Sequence, residues 1–543
     1  MANDEIRDKL VKTNKIFFSQ FAKLTDVQTK TIPKILDGFN CLIFSPTASG
    51  KTEAVIAPIC EKLLQEHQQI ESLHQLLVIY VIPTRALVND IYKRLENSLL
   101  RLNFTSASKT SDKLNFNPNS PQNFLFTTPE SLDSLLMRNP KLVRNVEHVI
   151  IDELHFLDNN YRGDQLRVLL RRLRDRIENP EKLRIYAMSA TINNPEEMGK
   201  RYLDKFETII SKGSREIFFE SFNCGDNFKN LEKIYDVFYK KRILRAIFFC
   251  NSRRTTILIA KMLKEIFHRE DRIFEHHSSL SSSERKRVEE EMGRTDQVMS
   301  ICVSTSSLEV GIDIGNLEAV VLVEPPLTIS SLLQRIGRGN RRTNKTVCYG
   351  LYEKDEEKEV FEQMIEDAKN ELIEEVEYEP ELSVCVQQIL SFSMEKRNSN
   401  EKLSRQKIYE ILSPLEHNFQ RIDLIIDKLI DDEFLKEQHG FINPDTELLD
   451  FDEKTRGKIH VNIPGGTGIL KVETVTGENL GEIASPHEKF SKIQFASNKW
   501  TVVGIKNGKI VVERSSKGKS EIPRFNISQK HGYYFSWLPD ELK

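Results

Sequence analysis

At roughly 150 residues per domain, a chain of 543 residues predicts three or four domains rather than a single core. A composition of 39% hydrophobic and 29% charged residues, with only 23 Gly and 19 Pro, excludes collagen-like and wholly disordered classes. Lys and Arg number 78 against 81 Asp and Glu, a formal net charge of -3, so any basic nucleic-acid surface is local rather than global.

Seven cysteines (Cys41, Cys60, Cys224, Cys250, Cys302, Cys348 and Cys385) are scattered and form no C-x-x-C pair. They predict reduced core thiols, not a disulfide framework or a zinc site. The N-terminal stretch MANDEIRDKLVKTNKIFF has no apolar h-region, and no apolar run approaches the length of a membrane span. A cytoplasmic location without membrane attachment is the expectation.

From Asn40 to about Ile210, short apolar runs alternate with helix-like segments: Cys41 to Phe44, Leu76 to Ile82, Phe124 to Thr127, Val149 to Ile151 and Ile185 to Ser189. This alternation predicts buried parallel strands with crossover helices, an α/β lobe over residues 1–210. A second α/β lobe follows over 211–380, with strands at Ile243 to Cys250, Val298 to Ser304 and Ala319 to Glu324. Its last stretch, Glu353 to Glu381, has 14 acidic and 3 basic residues, yet Val360, Phe361, Met364, Ile365, Ala368 and Leu372 form a helical stripe, which predicts a solvated helix. Helical patterns at Val384 to Met394, Ser404 to Ile411 and Ile422 to Asp432, then a hairpin from Phe434 to Ile442, predict a winged helix over 381–450. Period-2 strands flanking Asn507-Gly508 predict a small all-β domain over 451–543, with Trp500 as a core residue. On this pattern, the chain up to about Glu381 is expected to fold alone as a two-lobe unit.

Ser45-Pro46-Thr47-Ala48-Ser49-Gly50-Lys51-Thr52 follows an apolar strand and precedes a helical run, the context of a phosphate-binding loop. Backbone N–H groups around Ser49 and Gly50 would cradle a triphosphate, Lys51 would reach its β and γ phosphates, and Thr52 would hold Mg²⁺. The strand Val149 to Ile151 ends in Asp152-Glu153-Leu154-His155. There Asp152 would help to hold the ion, and Glu153 would orient and deprotonate the attacking water. In the second lobe Arg335, Arg338 and Arg341 form a ladder from which a positive finger reaches the leaving charge when the lobes close, with Arg338 and Arg341 the candidates and Arg335 an alternative ion-pair partner. The arginines of Leu166 to Arg176 read as solvated or ion-paired rather than as DNA contacts.

With these motifs in order, the chain resembles the superfamily 2 helicases, which implies two RecA-like lobes and ATP as substrate. The resemblance makes Gln28 an adenine reader, and places Thr84, Arg85, Thr128, Asn251, Arg253 and Thr305 on a nucleic-acid strand. It makes Ser189, Thr191 and Gln334 coupling residues, and puts Gly311 and Asp313 at the nucleotide. The phrases SPTASGKTEA, DELHFL, RGDQLRVLLRRL, HHSSLSSSERKRVEEEM, STSSLEVGIDIG and LLQRIGRGNRR resemble the Lhr-type (large helicase-related) branch, over about Phe21 to Phe525. Ser278 and the pair Asn340-Arg341 depart from its pattern. The resemblance implies a nucleic-acid-stimulated ATPase moving 3′ to 5′ on single-stranded DNA and unwinding DNA or RNA:DNA duplexes. The alternatives are an RNA helicase or an ATP-switched clamp, with the C-terminal domains as a docking module for protein partners; no residue pattern specifies an oligomeric state.

Overall fold

Short runs of fully buried residues mark strands covered on both faces, and the chain builds two sheets of this kind. The computed structural model describes residues 3–46, 49–67, 73–110, 113–114, 116–190, 194–211, 216–268, 272–294, 296–309, 317–339, 345–370, 378–455, 457–462, 469–484, 492–495, 498–506, 509–515 and 531–543.

The first sheet comprises β1 (Asn40–Phe44), β2 (Val78–Val81), β3 (Ser106–Thr110), β4 (Lys113–Leu114), β5 (Phe124–Thr127), β6 (His148–Ile151), β7 (Arg184–Ser189) and β8 (Phe206–Ile210). Its order is β4-β3-β5-β2-β6-β7-β1-β8, parallel except for β4. Around it lie α1 (Asn3–Lys9), α2 (Asn14–Phe17), α3 (Asp26–Leu36), α4 (Lys51–Glu66), α5 (Arg85–Leu100), α6 (Pro129–Arg138), α7 (Tyr161–Arg176) and α8 (Pro195–Tyr202). The second sheet is wholly parallel: β9 (Glu216–Asn223), β10 (Arg245–Phe249), β11 (Ile273–His276), β12 (Ser300–Ser304), β13 (Ala319–Leu322) and β14 (Lys345–Tyr352), in the order β11-β12-β10-β13-β14-β9. Its helices are α9 (Glu232–Lys241), α10 (Arg253–Phe267), α11 (Ser282–Met292), α12 (Ile329–Ile336) and α13 (Asp355–Lys369). In α13, Phe361, Met364, Ile365 and Ala368 are buried as expected, whereas Val360 is exposed and Leu372 lies outside the described residues. The seven cysteines are buried free thiols, and no helix among the described residues is long and apolar enough to cross a membrane.

Next come α14 (Leu382–Ser399), α15 (Arg405–Leu412) and α16 (Phe419–Asp431), a hairpin of β15 (Leu435–Gln438) and β16 (Phe441–Pro444), and α17 (Thr446–Lys454), which the sequence pattern does not announce. A five-stranded sheet closes the order: β17 (Ile469–Thr474), β18 (Asn479–Ala484), β19 (Lys492–Phe495), β20 (Asn498–Lys506) and β21 (Lys509–Arg514). Lys506 pairs with Lys509 across the expected two-residue turn; Asn507 and Gly508 themselves lie outside the described residues. Trp500 is buried and donates from Nε1 to the Phe495 carbonyl at 2.7 Å, a core residue rather than a stacking platform.

The chain divides into two compact units, neither contiguous in sequence. Unit 1 joins Met1–Lys212, Glu375–Gly465 and Gln529–Lys543; unit 2 joins Gly213–Glu374 and Gly466–Ser528. In unit 2, Gly481 of β18 has φ +145 and lies so close to the Ser279 carbonyl that a Cβ would come within 2.0 Å of it, which only glycine allows. The backbone bonds Ser281 N to Leu480 O (2.9 Å) and Glu482 N to Ser279 O (2.7 Å) continue this approach and attach the small sheet to the second α/β lobe.

In unit 1, α14 packs into the first lobe, although the expected two-lobe unit ends just before it. Every residue from Ser383 to Lys396 is buried, polar ones included. Its polar side chains enter a buried network with α6 and α7. Arg172 donates to Glu395 (2.6 Å), Asp133 (2.9 Å) and Gln388 Oε1 (2.8 Å), while Asp133 also accepts from Gln165 (2.9 Å), Gln387 (2.7 Å), Gln388 (2.6 Å) and Ser391. Burial alone would raise the Asp133 carboxyl, but Arg172 and these donors hold it below its ordinary value. The three stretches of unit 1 also meet in one knot. Asp164 accepts from Tyr378 (2.7 Å) and Glu381 N (2.9 Å), the Glu381 carboxylate accepts from Ser383 and Gly532 N (2.6 Å each), and Asn462 bonds Ser383 (3.0 Å) and Tyr534 N (3.1 Å).

Candidate active site and nucleic-acid interface

In a parallel sheet all strands end on the same edge, so strand order decides which motifs are neighbours. Across that edge of the first sheet, β5 delivers Thr128, β2 delivers Thr84 and Arg85, β6 delivers Asp152 and Glu153, β7 delivers Ser189, and β1 runs into the phosphate loop. The acidic pair thus stands between the Thr84 and Thr128 turns and the loop, with neighbouring strands about 4.8 Å apart.

Gly50, with φ +88, caps α4. The conformation favours glycine, and a Cβ there would come within 2.4 Å of Gln28 Nε2 and displace that amide. Gln28 is held by a capping box with Thr25, whose N–H donates to Gln28 Oε1 (2.9 Å), while Gln28 Nε2 donates to the Gly50 carbonyl (3.3 Å). Ser45 and Ser49 share a 2.6 Å hydroxyl bond, and the buried Lys51 ammonium donates to the Ser45 carbonyl and, at 3.3 Å, to that of Pro46. Gly50→Ala is expected to weaken binding of a fluorescent ATP analogue about tenfold, since residues forced to positive φ cost roughly 1–3 kcal/mol; unchanged affinity would show that the loop tolerates the side chain.

Asp152 is buried; Tyr80 donates to its Oδ2 (2.8 Å) and Glu153 N to its Oδ1 (2.9 Å). Burial and the Glu153 charge beside it push its carboxyl above the ordinary range. The Tyr80 hydroxyl also meets Thr52, whose Oγ1 accepts from Arg94 of α5 at 3.0 Å. Glu153 adopts the left-handed region at φ +45, strain of the kind found at functional positions. His155, quoted above without a role, links it to the next motif. Ala190 N donates to His155 Nδ1 (3.3 Å), so the neutral ring carries its proton on Nε2, 3.7 Å from Glu153 Oε2, and Ser189 Oγ lies 3.2 Å from Nδ1. The histidine two residues past the acidic pair was the available signal. Thr191 lies outside the described residues.

Thr84 and Thr128 are N-caps, accepting from Leu87 N (3.3 Å) and Ser131 N (3.4 Å), so each sits where a helix presents its N–H groups. Arg85 opens α5 on the surface. Arg162, to which the sequence pattern assigns no role, ties these two turns together: it pairs with both Glu130 oxygens (2.6 and 3.2 Å) and donates to the Pro83 carbonyl. Burial would raise the Glu130 carboxyl, but Arg162 holds it low. The Leu166 to Arg176 segment is ion-paired at Arg172 and Arg176, the former fully buried.

In unit 2, β10 leads to Asn251, whose Nδ2 donates to the Pro325 carbonyl (2.8 Å) and whose Oδ1 accepts from Arg335 (2.9 Å). Arg253 opens α10, half-buried. Thr305 follows β12, with its hydroxyl 3.4 Å from Ser307 Oγ. Gln334 is buried on α12. Arg335 pairs with Glu309 at 2.6 Å, which fulfils its ion-pair alternative, and the buried Arg338 donates to the Glu309 carbonyl at 2.7 Å. Gly311, Asp313 and Arg341 lie outside the described residues.

Residues 25–198 match the model of the DEAD/DEAH box helicases, and residues 227–343 match that of the helicase conserved C-terminal domain. The chain belongs to the superfamily 2 helicases of this DEAD/DEAH class. Within that class it is similar to the Lhr-type helicases. It is 31% identical over 355 residues to the ATP-dependent helicase Lhr-Core of Saccharolobus solfataricus, covering 60% of this chain and 40% of the relative. To the Lhr-Core protein 2 of Thermococcus barophilus it is 32% identical over 422 residues, covering 70% of this chain and 48% of the relative. Its fold matches that of Mycobacterium smegmatis helicase Lhr bound to ssDNA and AMP-PNP, at a TM-score of 0.69 and 22% identity, over 84% of this chain and 62% of that one. The chain spans less than half the length of these two curated relatives.

Proposed function

We propose that the chain is an ATP-hydrolysing motor that moves 3′ to 5′ along single-stranded DNA and unwinds DNA or RNA:DNA duplexes, with 381–450 acting as a winged helix and the five-stranded sheet within 451–543 as a small β domain. The observation that carries this reading is the edge of the first sheet, where Asp152 and Glu153 stand between the strand-gripping turns and the phosphate loop. The Lhr relative solved with ssDNA and AMP-PNP supports DNA as the tracked strand.

Lys51 and the helix N-terminus after Gly50 are assigned to the triphosphate, and Gln28, with an amide hydrogen and a lone pair beyond its two backbone bonds, to the adenine edge. Thr52 and Asp152 are oxygen donors that meet the same Tyr80 hydroxyl, and hydroxyl and carboxylate oxygens are the donors that Mg²⁺ takes, so the pair fits Mg²⁺. Mg²⁺, when bound there, supplies neutralising charge at the phosphates. Glu153 takes the proton of the attacking water. Its link through His155 to Ser189 makes the position of the base depend on the Ser189-Ala190-Thr191 turn, which we assign to coupling together with Gln334. Arg338 and Arg341 are the proposed fingers of the second unit, and Gly311 and Asp313 its nucleotide contacts. Thr84, Arg85, Thr128, Asn251, Arg253 and Thr305 hold backbone phosphates, which makes binding salt-sensitive and sequence-tolerant.

One panel tests the reading: ATP turnover with single-stranded DNA or RNA, and strand displacement on 3′- and 5′-tailed DNA and hybrid duplexes. Stimulation by single-stranded DNA and displacement from 3′ tails are expected. Turnover indifferent to nucleic acid sinks the motor, and stimulation by RNA alone makes the chain an RNA helicase. Arg338→Ala should slow turnover by on the order of 10³ with nucleotide still bound, because a finger acts on the transition state; full activity would remove Arg338 from the site.

A further inference from the structure

Arg167, Arg171 and Arg174 recur at i, i+4 and i+7 of α7, one face of the helix. With Lys200 and Arg201 at the end of α8 and the turn at 413–417, they line an open cleft of about 390 Å³ within unit 1. Five cationic side chains there face two carboxylates, Glu197 and Asp204.

Most of these cations are already engaged. Arg201 pairs with Asp158 (3.0 Å) and Glu197 (3.4 Å), Lys200 with Glu196 (2.7 Å), and Arg167 with Asp164 (3.1 Å) and the Pro414 carbonyl. Arg174 rests against Asp204. Arg171 is exposed and makes no ion pair or hydrogen bond among the described residues. Burial, and the Arg171 charge beside it, hold the Arg174 guanidinium below its ordinary value.

The position of the cleft separates it from the site above. Ile185, the second residue of β7, lines it, together with Leu203 and Asp204 just before β8. It therefore opens at the edge where the strands begin, whereas the phosphate loop and the strand-gripping turns lie where they end, a strand length of roughly 20 Å away. A strand held by Thr84 and Thr128 does not fill it.

We infer that this cleft is a second nucleic-acid contact, where Arg171 and Arg174 take backbone phosphates from the duplex arm of a tailed substrate. The inference rests on the motor reading above. The guanidinium fork suits phosphate oxygens, and the run from Arg167 to Arg174 spans about 10 Å, roughly three steps of a duplex strand. The charged side chains of the lining are mostly cationic, and the proposed substrate carries the complementary charge.

The test compares the full chain, Arg171→Gln/Arg174→Gln and Arg171→Lys/Arg174→Lys in binding a fluorescent tailed duplex and a single strand of about ten nucleotides across a salt series. Loss of two phosphate contacts should lower the slope of log affinity against log salt by about 2, and weaken duplex binding by about tenfold near 0.1 M salt. Short-strand binding should hold, and the lysine variant should keep most of the slope. Arg171→Gln alone, at an exposed position that asks nothing of the fold, should give about half the slope change. Wild-type duplex binding with an unchanged slope in the glutamine variants overturns this inference alone and hands the cleft to an acidic protein segment. A wild-type chain that binds neither substrate overturns the motor reading together with it.

Discussion

Glu153→Gln is expected to leave ATP bound at near wild-type affinity while turnover falls by about 10² to 10⁴, the range that a positioned general base contributes. The substitution keeps the size of the side chain and its place beside His155, and removes only the basic carboxylate. The left-handed backbone at residue 153 is set by the chain around it, since Asp152 Oδ1 accepts from Glu153 N and the next three residues form a 3₁₀ turn. The amide therefore reports on chemistry rather than on refolding. Measured turnover and equilibrium binding of a fluorescent ATP analogue separate the two effects. Lost binding in a folded protein would make Glu153 a nucleotide ligand instead of the base.

The second large effect is on stability. Arg172→Ala should destabilise unit 1 by about 3–5 kcal/mol, the cost of leaving buried charges uncompensated. Asp133 and Glu395 have fully buried side chains and both rely on this guanidinium. Against a total stability of about 5–15 kcal/mol, that is enough to lower the thermal midpoint by roughly 10 °C. Replacing Asp133, Arg172 and Glu395 together with apolar residues of similar volume should cost less than Arg172→Ala alone, because no charge is then stranded. Because Asp133 sits below its ordinary pKa in the fold, its contribution is complete above the usual aspartate range and is lost as the pH falls through the folded value. An unchanged midpoint in Arg172→Ala would mean that α14 is not anchored through this network. Deleting everything after Glu381 removes Gln387, Gln388, Ser391 and Glu395 at once, and should leave unit 1 unable to fold.

How far the chain could be read in advance depended on where each signal is stored. Strand runs such as Val149 to Ile151, and the motif at each strand's end, are local; for a parallel sheet, that suffices to put Lys51, Asp152, Thr84 and Thr128 on one edge. The Asn-Gly hairpin and the burial of Trp500 are also local, since alternation and turn chemistry act over a few residues. The roles of Arg162 and His155 are not local. Each depends on a partner brought close by the strand order, Glu130 for one and Ala190 for the other.

By itself the sequence determined the two α/β lobes, the phosphate loop, the acidic pair and the family, because each is written in short apolar runs and in residues at fixed spacing. Only the tertiary structure decided that α14 belongs to the core of unit 1. Its Gln387, Gln388, Ser391 and Glu395 have the helical spacing that a solvent-facing stripe also has, yet they are buried against Asp133 and Arg172, more than 200 positions earlier. A polar side chain satisfied by a distant charge leaves the same mark on helical periodicity as one satisfied by water, and only the packing of the folded chain distinguishes them.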